Sequence, residues 1–181
     1  MSKKIVVITG SPRKQGNSFR MTEAFSKRAE ELGHTVIRFD AAFLKLGGCH
    51  ACETCYSKGR PCTFDDDFNK IAPAILEADA VVFSTPVYWY SIPAQIKCVI
   101  DKMFSFVVGG KDIAGKEYAI ITCCEESDVS VMEGVRMPLK RSGDLIKWKL
   151  VGEVAIPGVL NVGDIDKTDG CQQAAALAEK F

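Results

Sequence analysis

Ile5-Val6-Val7-Ile8-Thr9-Gly10-Ser11-Pro12-Arg13-Lys14-Gln15-Gly16-Asn17-Ser18 is the stretch on which the reading of this chain turns. Its first four residues are apolar β-formers in a row, as in a parallel-sheet strand buried on both faces. Small, polar and turn-forming residues follow, and Phe19 opens a helical pattern. Strand, polar loop and helix N-terminus together make an anion site, because unspent backbone N–H groups and the positive helix end converge there. Ser11, Asn17 and Ser18 add hydroxyl and amide donors, and Arg13 adds a charged fork. The glycines of a dinucleotide fingerprint and the Gly-Lys-Ser/Thr ending of a Walker loop are both missing. Side-chain donors suit a mononucleotide phosphate better than a pyrophosphate, which needs glycine backbone at close range. The alternative is a polar βα loop capped by Asn17 or Ser18.

Outward from this stretch the rhythm repeats. Phe25, Ala29 and Leu32 would form the apolar stripe of the first helix, which Gly33 can end. Thr35–Phe39 reads as the second strand, completing a βαβ unit. From Ala41 to Phe64 no period is sustained. Asp65, Asp66 and Asp67 then offer acidic caps for a helix with Phe68, Ile71 and Ile75 on one face, and Pro73 predicts a kink or late start. Ala80–Ser84 is the third strand. Ser91 is expected to cap the next helix, with Ile96, Val99, Ile100 and Met103 as its core stripe and Cys98 as a small buried hydrophobe. Phe106–Lys116 reads as loop, Tyr118–Thr122 as the fourth strand, and Val129–Ile146 as helix interrupted at Pro138 and Gly143. Trp148–Ile156 is the fifth strand, Asn161–Asp166 loop, and Thr168–Lys180 a terminal helix. Five strands alternating with helices, without repeat or linker, predict an α/β fold: one open, doubly wound parallel sheet.

Bulk properties agree with one such domain. The 181 residues can bury a full core. Lys plus Arg and Asp plus Glu both number 23, so charge balance attracts neither nucleic acid nor an anionic membrane. No apolar run approaches the roughly 20 residues that span a bilayer. Met1-Ser2-Lys3-Lys4 leads directly into a strand, so no signal peptide and a cytoplasmic location are expected. Eight cysteines then shift attention to metal or redox roles, since a reducing compartment disfavours structural disulfides.

Two more groups of residues carry chemistry. Ligands of doubly wound sheets bind outside the carboxyl ends of the strands. There lie Thr85-Pro86-Val87-Tyr88-Trp89-Tyr90, whose aromatic faces can stack on a planar ring or pack on a neighbouring subunit, and Thr122-Cys123-Cys124-Glu125. Phosphate at one loop and a planar ring at the next describe a nucleotide-like cofactor. The second group is Cys49, Cys52, Cys55 and Cys62, spaced C-x2-C-x2-C-x6-C. Paired x2 spacings let a tight loop wrap a [4Fe–4S] cubane. Zinc sites with four thiolates generally use two separated knuckles, which this run lacks. A cluster, free or oxidation-sensitive thiols, and zinc remain the readings open to it. His50, inside the run, is expected to face solvent.

Taken together, Gly10-Ser11-Pro12-Arg13…Gly16-Asn17-Ser18, the cysteine run leading into Asp65-Asp66, Thr85-Pro86-Val87-Tyr88-Trp89, Gln95-Ile96-Lys97…Asp101-Lys102 and Val151-Gly152-Glu153 resemble the NADPH-dependent FMN reductases, and among them the iron–sulfur flavoproteins. The resemblance implies a flavodoxin-like, three-layer fold with strand order 2-1-3-4-5, spanning 1–181 with a cysteine-rich insertion at about 41–64. It implies FMN, with Ser11, Arg13, Gly16, Asn17 and Ser18 on its phosphate. Thr85, Pro86, Val87, Tyr88 and Trp89 would line one side of the isoalloxazine, and Thr122, Cys123 and Glu125 the other. It implies an oxidoreductase moving electrons between NAD(P)H or a reduced protein donor and an acceptor, with a possible [4Fe–4S] cluster on Cys49, Cys52, Cys55 and Cys62 exchanging electrons with a ferredoxin-type partner. No residue is expected to act as a general acid or base. A homodimer or tetramer is expected. The rival readings are a cluster-free NAD(P)H:quinone or flavin reductase and a non-enzymatic, flavodoxin-type electron carrier.

Overall fold

The computed structural model describes residues 1–181. Five strands form one parallel sheet: β1 (Lys4–Thr9), β2 (Thr35–Asp40), β3 (Ala80–Pro86), β4 (Glu117–Cys123) and β5 (Lys149–Ile156). Their order is β2-β1-β3-β4-β5, as the flavodoxin-like expectation required. Alternation along each strand sorts side chains to the two faces. Val6, Ile8, Val81, Phe83 and Ile120 meet α2 (Phe68–Glu77), α3 (Ala94–Lys102), α4 (Phe104–Val108) and α5 (Glu133–Leu145). Ile5, Val7, Val82, Ala119 and Ile121 meet α1 (Asn17–Glu31) and α6 (Gly170–Ala178) on the other face. Helices on both faces explain why β1 is apolar without a break from Ile5 to Ile8. No helix is long and apolar enough to cross a membrane.

The sheet reverses its winding between β1 and β3, so the loops after these two strands diverge and leave a crevice at their carboxyl ends. Gly10 lets the first loop pass close to β3. A side chain there would overlap Thr85 Oγ1, while Gly10 N–H donates to Ser84 O at 2.9 Å.

Several local expectations give way to packing. α2 runs through Pro73 and α5 through Pro138 and Gly143. An interior proline costs about 3 kcal/mol. Phe68, Ile71 and Ile75 are fully buried, and each such side chain contributes about 1.5–3 kcal/mol. Gly143 is needed rather than disruptive, because a Cβ there would lie 2.7 Å from the Tyr118 ring. The segment read as loop from Phe106 begins inside α4, and Phe106 is buried against Phe68 with ring centroids 6.2 Å apart. Leu32 is 40% exposed, because α1 stops at Glu31 and Gly33 turns the chain with φ +87°. Cys98 is only half-buried. Between β2 and α2 only a short 3₁₀ turn, Ala41–Phe43, interrupts irregular chain.

Candidate active site

A cleft of about 370 Å³ lies at the carboxyl ends of the strands, within the roughly 300–1,000 Å³ of small-molecule sites. It brings together Ser11, Arg13, Gly16, Asn17 and Ser18 from the first loop, Pro86, Val87, Tyr88 and Trp89 after β3, and Cys123 and Glu125 after β4. Eleven of the thirteen non-cysteine-run candidates therefore meet in one place. Thr85 and Thr122 do not reach its wall. They are register partners in β3 and β4, fully buried one residue before Pro86 and Cys123. Thr122 Oγ1 has no hydrogen-bond partner there.

The end of the cleft formed by the first loop is built for an anion. α1 starts at Asn17 with Gly16 as its N-cap, and no side chain caps it. The alternative, a loop in which Asn17 or Ser18 caps the helix, does not hold, because no side chain caps it and Asn17 works elsewhere. Its Nδ2 donates to Asn161 O at 3.0 Å, and its Oδ1 accepts from Ile165 N–H at 3.2 Å. The helix end thus faces the cleft with free N–H groups and positive dipole. Ser11 Oγ accepts from Arg13 N–H at 3.2 Å, which folds the loop into place. The Arg13 guanidinium makes only a long 3.5 Å contact to Leu160 O, so most of its donors are unspent. Arg13 and Glu125 are the only charged side chains on the cleft wall.

The facing wall is apolar and aromatic. Tyr88 and Ser91 pair as an antiparallel bridge, with N–H···O distances of 3.0 and 2.9 Å in the two directions. The two residues between them, Trp89 (φ +46°) and Tyr90 (φ +59°), both adopt left-handed backbone. This is the geometry of a two-residue hairpin that normally selects Asn-Gly. Ser91 is consumed by this bridge, so it does not cap α3, whose N-cap position is Pro93. Tyr90 Oη donates to Glu126 Oε1 at 2.7 Å. The Tyr90 carbonyl also rests on Gly134, where any Cβ would overlap it. Trp89 is 95% exposed while lining the cleft.

Val159, Leu160 and Val162 complete the cleft, and Cys124 joins Cys123. Sequence reasoning missed the three aliphatics because they lie in a loop without period. Cys124 O accepts from Val159 N–H at 2.9 Å, which binds that loop to the end of β4. Burial pushes the Cys123 thiol up to about 12, with the neighbouring Cys124 adding to the effect, so it stays a neutral thiol. Burial likewise pushes Cys124 up.

Cys49, Cys52, Cys55 and Cys62 share a second, small cavity of about 20 Å³. All four are free thiols, Cys49 and Cys52 exposed and Cys55 and Cys62 half-buried. No three or more His, Cys, Asp or Glu side chains converge as a ready-made site for a metal ion. Ala51 (φ +51°), Glu53 (φ +55°) and Tyr56 (φ +62°) are left-handed within the run. Left-handed residues change the direction of the chain sharply, in a run short enough to bring all four thiols to one cavity. Burial pushes the Cys55 thiol up, reinforced by the three other cysteines, while a hydrogen bond with Thr54 (3.1 Å) lowers Cys52. His50 is exposed, as expected, and stacks on Phe64 with centroids 4.6 Å apart.

Comparison with known proteins agrees with this geometry. Residues 3–134 match the model of the family described as NADPH-dependent FMN reductase. An iron-sulfur flavoprotein of Archaeoglobus fulgidus is 32% identical over 188 residues, covering 98% of this chain and 80% of that protein. Among solved structures, an NAD(P)H:quinone oxidoreductase from Methanothermobacter marburgensis superposes with a TM-score of 0.78 at 19% identity, covering 98% of this chain and 95% of that one. An azoreductase from Bacillus anthracis gives 0.71 at 23% identity, covering both chains fully. A flavodoxin-like sheet, a cleft at its switch point and a family match over most of the length lead to one conclusion: the chain belongs to the NADPH-dependent FMN reductase family of oxidoreductases.

Proposed function

We propose that the chain acts as one FMN-binding unit that passes electrons from NAD(P)H, or from a reduced protein, to a small acceptor such as a quinone. The observation that carries this is the two-ended cleft. One end offers an uncapped helix terminus and the spare donors of Arg13, suited to a phosphate. The other offers Pro86, Val87, Tyr88 and Trp89 against Cys123 and Glu125, suited to a planar ring. Ser11, Gly16, Asn17 and Ser18 would shape the phosphate end, and the neutral Cys123 thiol keeps charge away from the ring. FMN, when bound, supplies hydride and one-electron chemistry, so no protein acid or base is required. The exposed Trp89, Leu160 and Val162 around the cleft mouth favour a second copy of the chain as cover.

The cysteine run we assign to a [4Fe–4S] cluster. Support comes from four free thiols on one cavity, the left-handed backbone between them, and the likeness to an iron-sulfur flavoprotein of Archaeoglobus fulgidus. Such a cluster, when bound, supplies one-electron exchange, here with a ferredoxin-type partner on the exposed Cys49 and Cys52 side.

Anaerobic purification followed by absorption spectroscopy tests the reading. Flavin bands at one FMN per chain, and NAD(P)H oxidation with a quinone that depends on that FMN, are the expected results. Arg13→Ala should weaken FMN about 10-fold, the loss of one charge-assisted hydrogen bond of about 1.5 kcal/mol. A protein that takes up no added FMN overturns the proposal.

A further inference from the structure

The cavity holding the four cysteines has one wall that the motif does not supply. Lys102, the last residue of α3, and Ser105, three positions on in α4, both line it. These are unusual neighbours for a set of thiols. The side chains of Lys102 and Asp66 are each 6% exposed and form an ion pair. Asp66 Oδ2 also accepts from Gly47 N–H at 2.9 Å, and Oδ1 from Phe68 N–H at 2.8 Å. The carboxylate is therefore fully engaged. The ammonium is not: Asp66 is its only hydrogen-bond partner, which leaves two of its three N–H donors unspent in a buried place.

Ser105 makes the same point independently. Its hydroxyl is buried and has no partner at all. A helical serine ordinarily returns its hydroxyl to a carbonyl one turn back, and this one does not. Leaving such a group unsatisfied is destabilising, so its retention calls for an acceptor that occupies the cavity. A buried cation with free donors, a buried hydroxyl and four thiols describe one kind of occupant: a sulfur-rich anion.

We propose that Lys102 and Ser105 are positioning residues for the cluster assigned above, donating hydrogen bonds to its sulfur atoms and setting its reduction potential. The inference rests on that assignment. On reduction the cluster gains one electron and one negative charge, and no bond is made or broken. Donors and a cation facing the sulfurs favour the more negative state, so they raise the potential. Asp66 holds Lys102 at the cavity through the same contacts that join Gly47 and α2.

The test begins with iron and acid-labile sulfide in the anaerobically reconstituted wild-type protein. Redox titrations of wild type, Ser105→Ala, Lys102→Gln and Lys102→Arg follow, monitored by electron paramagnetic resonance. Four irons per chain in wild type and Ser105→Ala are expected. The reduction equilibrium should fall at least threefold in Ser105→Ala. In Lys102→Gln it should fall about tenfold, equivalent to about 59 mV for a one-electron couple. Lys102→Arg should retain most of the wild-type value, and the flavin potential should be unmoved. Unchanged cluster potentials with full iron content overturn the inference and leave the cluster standing. If Lys102→Gln does not fold, Ser105→Ala decides alone. Absence of iron in wild type overturns both.

Discussion

Replacing Trp89 and Tyr90 by Asn and Gly should make the flavin-free protein more stable and the flavin complex weaker. Both residues sit in left-handed backbone, at φ +46° and +59°. That conformation costs an ordinary L-residue roughly 1–2 kcal/mol, or about 2–4 kcal/mol for the pair. Glycine adopts it freely and asparagine at reduced cost. Against this gain stands the loss of the Tyr90–Glu126 hydrogen bond, about 0.5–1.5 kcal/mol. Little packing is lost, because Trp89 is 95% and Tyr90 59% exposed. The net stabilisation is about 1–2 kcal/mol, which raises the melting temperature of a domain this size by roughly 2–8 °C. Removing the Trp89 face from the cleft should cost about 0.5–1.5 kcal/mol of aromatic contact, or roughly a 2- to 12-fold rise in the FMN dissociation constant. Thermal unfolding without FMN and a flavin fluorescence titration read the two effects separately. A melting temperature that falls or stays put would refute the claim that this hairpin stores strain.

Two further perturbations probe what holds the site. Gly134→Ala places a methyl group on the Tyr90 carbonyl, and overpacking of this kind costs about 1–3 kcal/mol. Its melting temperature should drop by several degrees, while Gly48→Ala, with open space around it, should melt like wild type; equal shifts would show that close approach is not the cause. Glu153 lies between Arg136 Nε (2.7 Å) and Lys140 Nζ (2.6 Å). Burial pushes its carboxyl up, but the hydrogen bonds from Lys140 and Arg136 outweigh burial and hold it below its ordinary 4.5. A depressed acid stabilises the fold above its unfolded value and loses that contribution as pH falls through the folded one. Glu153→Gln should therefore be less stable by about 1–2 kcal/mol near pH 7. Denaturant titrations should show that gap closing below pH 4.5, and a gap constant with pH would count against the ion pairs.

The sheet was legible because a strand buried on both faces leaves an unbroken apolar run, as in Ile5–Ile8 and Ala80–Phe83. The phosphate end of the cleft was legible because strand, loop and helix terminus are consecutive in the chain. Walls assembled from distant loops were not. Val159, Leu160 and Val162 carry no periodic signal, and their role depends on a hydrogen bond back to Cys124. Local rules also misread residues whose reason lies elsewhere. Gly143 looks like a helix breaker until the Tyr118 ring is placed against it. Ser91 looks like a cap until Tyr88 takes its backbone. Thr85 and Thr122 share a neighbourhood with ligand-facing residues, but strand alternation and depth put them out of reach.

The amide of Asn17 has a consequence for how the protein comes into being. It fastens the mouth of the first helix to Asn161 and Ile165, and the latter partner lies 148 residues further along the chain. A ribosome adding about 5–20 residues per second makes Ile165 roughly 7–30 s after Asn17. The loop that carries Asn17 therefore stays an open half-site for all of that interval. The pocket closes only when the Asn161–Ile165 segment arrives, so the nascent chain has no completed place for a nucleotide before then.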